Sequence, residues 1–176
     1  MRTSPPDAGC SMFKNSRHFS FTGVMEENWR SIYEEFLGIK TELIDWFERD
    51  LYGEGWQVFG LFDFPHGQPL EKGIRGCPLT AELISHHIPR HGAAGFSVMR
   101  AGTRIKPHTG YDGSFLRCHL GLRVPVGDCG LQVGDDVSGW QEGKVIVFDD
   151  RAQHSAWNLT DEDRVILLVD FIPEKE

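Results

Sequence analysis

The stretch Phe115-Leu116-Arg117-Cys118-His119-Leu120-Gly121-Leu122-Arg123 decides how this chain folds. Leu116, Cys118, Leu120 and Leu122 alternate with Phe115, Arg117, His119, Gly121 and Arg123, and successive side chains of a strand point to opposite faces of its sheet. A strand with one apolar face follows, and Arg117 and His119 share the other. The run Arg164-Val165-Ile166-Leu167-Leu168-Val169-Asp170-Phe171 is mostly apolar on both faces, which marks a central strand covered on two sides. A guanidinium at the head of such a strand requires a partner, because an unpaired buried charge is costly.

Working outward, strand-forming runs at 96–100, 103–108, 115–124, 130–133, 144–149, 153–157 and 164–172 are separated by Gly, Pro and Asp and make a β-core over about 96–172. Ahead of it, Trp29, Ile32, Tyr33, Phe36 and Leu37 fall on one face of a helix over 26–37, with Gly38 as its stop. Leu43, Ile44 and Phe47 predict a second helix over 41–50, with Thr41 as N-cap. Trp56 to Phe64 reads as a strand ending at Pro65-His66-Gly67, and Thr80 to His87 as a third helix closed by Pro89. Helices followed by strands describe a mainly β domain with flanking helices, a sandwich or barrel. Residues 1–20, with Pro5 and Pro6, read as a flexible N-terminal arm, and 21–176 as a single domain.

Composition narrows the function. The 176 residues, 40% apolar and 11% aromatic, suit one packed core. A net charge of −8 without clustered Lys and Arg argues against a surface that tracks nucleic-acid phosphates. Cys10, Cys77, Cys118 and Cys129 form no Cys-x-x-Cys pair, and Cys118 suits a small buried thiol. No run has the length and apolarity of a signal peptide or membrane span, so a soluble, reducing, cytoplasmic setting is expected.

His108 ends one candidate strand and His154 opens another after Asp149-Asp150. Two imidazoles so far apart can converge only through the fold, and neutral imidazole with few other protein ligands suits an open non-haem ferrous site. Two unrelated surface histidines are the competing reading. Arg117 and Arg164 could each grip one end of a dicarboxylate. Internal salt bridges with Asp149, Asp150 or Asp170 would explain them equally well. His18, His66, His86, His87 and His91 lack partners at ligand spacing and read as structural or solvated.

The ordered set Asp50-Leu51-Tyr52 with Gly55-Trp56, Ala94-Gly95-Phe96-Ser97, Lys106-Pro107-His108, Leu116 to Leu122, Trp140-Gln141-Glu142-Gly143-Lys144, Phe148-Asp149-Asp150 and Asp163-Arg164 resembles the aspartyl/asparaginyl β-hydroxylases. This branch of the 2-oxoglutarate- and Fe(II)-dependent oxygenases is matched from about Trp29 to Phe171. The resemblance implies a double-stranded β-helix of jelly-roll, cupin-like form. It implies His108 and His154 as iron ligands, Arg164 assisted by Ser97 at the distal carboxylate of 2-oxoglutarate, and Arg117 with His119 at the metal-proximal carboxylate. Gly110 stands where the wider superfamily carries an Asp or Glu ligand, so water would fill that position, and Asp112 is expected as an exposed turn residue.

The implied reaction consumes 2-oxoglutarate and O2, releases succinate and carbon dioxide, and hydroxylates the β-carbon of an aspartyl or asparaginyl residue or a related amino acid. A hydroxylase or halogenase acting on a small-molecule intermediate, and a non-catalytic jelly-roll binding module, are the alternatives. The expected partner is a peptide or small-molecule substrate, with neither nucleic acid nor membrane involved. Trp56, Phe115, Arg123 and Trp157 are expected around the substrate, with Trp140 as a further wall. Phe115 stands where the better-known peptide hydroxylases have an arginine, and Arg123 on the same predicted face could compensate.

Overall fold

The central element is Arg164–Phe171 (β11), fourth of seven strands in the larger sheet, as its two apolar faces require. The computed structural model describes residues 11–174. The N-terminal part holds β1 (Phe13–Lys14), α1 (Phe21–Glu27), α2 (Trp29–Ile39), β2 (Ile44–Asp45), β3 (Trp56–Phe62), α3 (Glu71–Gly76) and α4 (Pro78–His87). The remainder is β4 (His91–Met99), β5 (Thr103–His108), β6 (Leu116–Arg123), β7 (Cys129–Val133), β8 (Asp136–Ser138), β9 (Val145–Phe148), β10 (His154–Asn158) and then β11.

The large sheet runs β1-β9-β6-β11-β4-β3-β2, and a second of four strands runs β5-β10-β7-β8. All of these strand pairings are antiparallel. This is a two-sheet jelly roll with helices laid on one outer face. Leu120 and Cys118 of β6, Leu167 and Val169 of β11 and Phe96 of β4 pack outward against Ile32 and Phe36 of α2 and Ile84 of α4. The other side of the same sheet meets the small one through Trp56, Met99, Ile105, Leu131, Val133, Phe148 and Ile166. Each fully buried Leu, Ile or Phe contributes about 1.5–3 kcal/mol. The second face of β6 and β11 is therefore left for the interior between the sheets, where polar side chains gather.

Several expectations need correction. The helix over 41–50 is absent: β2 pairs with β3 and a 3-10 turn covers Arg49–Leu51. Ile44 and Phe47 are 66% and 68% exposed, so the apolar spacing that mimics a helix face meets no core. The helix over 26–37 is two helices parted at Asn28, and Gly38 lies inside α2 rather than ending it. The strand at 96–100 extends back to His91; the helix expected over 80–87 is present as α4, and the short α3 ahead of it was not expected. Of the expected arm, residues 1–10 lie outside the described residues, whereas Phe13 and Lys14 pair with Phe148 and Val147 of β9. No helix among the described residues is long and apolar enough to cross a membrane.

Candidate active site

The antiparallel pairing of β5 with β10 sets His108, the last residue of one, directly opposite His154, the first of the other. Their ring centroids lie 4.3 Å apart. His108 Nδ1 is 2.7 Å from the Lys106 carbonyl and His154 Nδ1 is 2.8 Å from the Ala152 carbonyl. A carbonyl oxygen only accepts, so each ring donates through Nδ1–H and keeps Nε2 as the lone-pair nitrogen, the arrangement that orients a metal-binding imidazole. His154 is 6% exposed, and its burial pushes its pKa down to about 4, so it is neutral at physiological pH.

Gly110 leaves a space that the turn before β10 fills. A Cβ on Gly110 would lie 1.7 Å from Asp150 Oδ2. The Asp150 carboxylate, four residues before His154, thus occupies the place where a ligand side chain at position 110 would begin. Its Oδ1 is 3.2 Å from His154 Nε2 and 2.7 Å from Arg117 Nη1, although neither approach has hydrogen-bond alignment. Asp112 is exposed on its turn, as expected. No group of three or more His, Cys, Asp or Glu side chains among the described residues has the geometry to hold a metal ion, so the fit is that of two imidazoles with a nearby carboxylate.

Deeper between the sheets, Arg164 is only 2% exposed, and among the described residues no ion pair reaches it. Its Nη2 donates to Ser97 Oγ at 3.3 Å, its guanidinium lies 4.6 Å from the Trp140 ring centroid, and its Nε has no partner. Burial lowers its pKa to about 10. Ser97 Oγ also accepts from Trp56 Nε1 at 3.0 Å. Trp140 Nε1 donates to His119 Nδ1 at 3.2 Å. Because an indole N–H is only a donor, His119 must carry its proton on Nε2, and that buried Nε2–H has no partner. Burial first, then the charges of Arg164 and Arg117, holds the His119 pKa well below the usual imidazole value. Two buried donors without acceptors, one of them cationic and without a counterion, fit an anionic ligand; left empty, each costs about 1–3 kcal/mol.

Arg117 behaves differently. It shares the His119 face, as the alternation predicts, but its Nε and Nη2 donate to the two oxygens of Asp170 at 2.8 and 2.9 Å. Burial opposes its charge, yet Asp170 and Asp150 outweigh burial and raise its pKa. The internal salt bridge to Asp170 is thus the arrangement adopted, with Nη1 of the guanidinium turned toward Asp150.

Of the residues expected around the substrate, Trp56 lines an apolar groove beside His108, with 6.5 Å between the two ring centroids. Phe115 packs near the mouth of that groove, 5.9 Å from the Phe64 ring. Arg123 does not enter it: a bulge between Val165 and Ile166 shifts the register beside it, and Arg123 lies exposed, paired with Glu162. Trp157 points away as well. His154, Ala156 and Asn158 are the buried, inward residues of β10, so Trp157 faces outward, against Gly130 and hydrogen-bonded to Asp128. Sequence reasoning missed the place of Asp150 beside the histidines and the bond from Trp140 to His119. His66, His86, His87 and His91 line one open surface cleft, and His18 is exposed.

Two antiparallel sheets closed over an inward histidine pair and a buried arginine define a double-stranded β-helix protein of the jelly-roll class. A prolyl-4-hydroxylase from Pseudomonas putida shares this fold with a TM-score of 0.57, 12% identity and coverage of 85% of this chain and 88% of that one. The sequence profile described as aspartyl/asparaginyl beta-hydroxylase matches residues 26–173, and the chain belongs to that family. Human aspartyl/asparaginyl beta-hydroxylase is 32% identical over 165 residues, 89% of this chain and 22% of the human one. The ornithine lipid ester-linked acyl 2-hydroxylase of Rhizobium tropici is 40% identical over 119 residues, 66% of this chain and 41% of that protein. The chain therefore spans well under half the length of these curated relatives.

Proposed function

We propose that the chain is a hydroxylase that binds Fe(II) through His108 and His154 and 2-oxoglutarate through Arg164, Ser97 and His119. The observation that carries this reading is Arg164, a buried guanidinium that has, among the described residues, an unpartnered Nε and no carboxylate acting on it. A dicarboxylate supplies the missing charge, and the orphan Nε2–H of His119 offers it a second donor. Arg117 serves as a brace between Asp150 and Asp170.

Ferrous iron with 2-oxoglutarate and O2 would supply the oxidising power that converts a substrate C–H to C–OH, with succinate and carbon dioxide as coproducts. The protein's own residues orient and shield. The Lys106 and Ala152 carbonyls hold the imidazoles in one tautomer, and Trp56 and Trp140 lock Ser97 and His119 by hydrogen bonds. The interior face, with Phe148 fully buried against His119 and His154, excludes water from the reaction. The names of the human and Rhizobium relatives share one chemical feature: the β-carbon of an aspartyl residue and carbon 2 of an acyl chain both adjoin a carbonyl carbon. Hydroxylation of a C–H next to a carbonyl is the activity assigned here. Free thiols at Cys77, Cys118 and Cys129 suit a reducing, cytoplasmic setting.

The test is anaerobic binding followed by air. Ferrous iron and 2-oxoglutarate together are expected to give a weak visible charge-transfer band that His108→Ala and His154→Ala abolish, and admitted air is expected to yield succinate. No band and no succinate would sink the proposal.

A further inference from the structure

A groove of about 220 Å3 leads from Ser97 and Trp56 to the protein surface along the inner face of the large sheet. Its floor is built of small residues. Gly60 of β3 stands directly across from Gly95 of β4, which lies two residues from Ala93 on the same face. Gly95 must be glycine, since a Cβ there would lie 2.5 Å from the Phe59 carbonyl oxygen. Val58 and Leu168 form apolar walls, and Phe64 and Tyr111, 40% and 47% exposed, meet at the mouth with ring centroids 4.9 Å apart.

Charge settles what this groove accepts. Arg117 is the sole cationic side chain lining it among the described residues, and two carboxylates, Asp150 and Asp170, already hold that charge. Asp170 lines the groove beside Arg117 and engages it through two hydrogen bonds, so a substrate carboxylate entering here would find no free cation to clamp it. Phe115, packed near Phe64 at the mouth with its ring tilted, adds no donor. The volume is below the 300–1,000 Å3 usual for sites that enclose drug-sized ligands, which favours a slender chain over a ring system.

We propose that the groove binds an uncharged, unbranched aliphatic chain, so that the substrate is an acyl compound rather than an acidic peptide side chain. This rests on the hydroxylase reading for the place where oxygen is added, but not for the binding itself. The Gly60–Gly95 floor gives the chain its track, and Ala93 limits how far toward the mouth it stays buried.

Binding of uncharged N-acylethanolamines to the full chain, loaded anaerobically with ferrous iron and 2-oxoglutarate, tests this through the fluorescence of Trp46 and Trp56. From butanoyl to octanoyl, affinity is expected to rise by about fourfold per methylene and then to level off toward dodecanoyl. Ala93→Leu is expected to bring that plateau to a shorter chain and weaken octanoylethanolamine by about tenfold or more, the loss of roughly two buried methylenes. An Asp-containing and an Asn-containing peptide are expected to bind weakly and gain no oxygen in air. Affinity independent of chain length, or a peptide that gains oxygen while octanoylethanolamine does not, would overturn the inference. Length-dependent binding with neither succinate nor oxygenated product would instead overturn the hydroxylase reading and leave the groove assignment standing. The wild-type length series decides the matter even if Ala93→Leu does not fold.

Discussion

Replacing Arg164 by Met should make the ligand-free protein no less stable while removing its response to 2-oxoglutarate. Burial pulls the arginine pKa down from its ordinary value to about 10, and at about 1.4 kcal/mol per unit the charge costs the folded state roughly 3 kcal/mol. The sign is unambiguous: near neutral pH the side chain is protonated in both folded and unfolded chains, so the folded state carries the whole penalty. Met keeps an apolar stem of similar length. What it forfeits is the bond to Ser97, about 1 kcal/mol, and the contact with Trp140, about 0.5–2 kcal/mol. The net expectation is between no change and about 2 kcal/mol of stabilisation, as found when buried charges are exchanged for apolar groups.

Urea denaturation under anaerobic conditions, with ferrous iron present and 2-oxoglutarate present or absent, provides the assay. Saturation to about a hundred times Kd should add about 2.7 kcal/mol to the wild type, or about 5–10 °C in Tm for a chain of this size, and nothing to Arg164→Met. A loss of more than about 2 kcal/mol in the ligand-free variant would refute the claim that Arg164 is an unpaired charge held for a ligand. Equal stabilisation of both proteins by 2-oxoglutarate would refute its role as the anchor.

Gly110→Asp should not create a tighter three-ligand iron site, because its Cβ would collide with Asp150 Oδ2. An anaerobic ferrous titration is expected to show no gain in affinity, with a stability loss of about 1–3 kcal/mol, whereas a gain would contradict the crowding argument. Acidification should weaken the metal-free fold. His119 lies well below the unfolded imidazole value and His154 at about 4, so both contribute stability fully above about pH 6.5 that is lost as pH falls toward their folded values. Urea melts at pH 7.5 and 5.5 are expected to differ by about 3 kcal/mol, and a flat profile would show that neither ring is buried neutral.

The parts of the fold most legible in the sequence were those where one side chain period matched one environment. The alternation in Leu116–Leu122 and the double apolar face of β11 lead directly to β6 beside a central β11. Ile44 and Phe47 misled because apolar residues also stand exposed at the surface while Leu43 beside them packs on the core, and periodicity cannot tell the two apart. At the site, parity put Arg117 with His119, but it carries no information about Asp170, which pairs with Arg117 only through the register of β6 on β11. Trp157 was readable: it lies three residues from inward-facing His154 on the same strand, so it must face outward. Arg123 was not, since the bulge at Val165 and Ile166 leaves no mark in β6 itself. Asp150 could be recognised beside the histidines only once β5, β10 and the turn before β10 were in place.

The account stands on a histidine pair that holds iron beside an arginine that holds 2-oxoglutarate, and the anaerobic visible spectrum addresses both at once. A charge-transfer band should appear only when ferrous iron and 2-oxoglutarate are both present, and it should vanish in His108→Ala, His154→Ala and Arg164→Met. A wild-type protein that shows no band, or a band that survives all three substitutions, would contradict it.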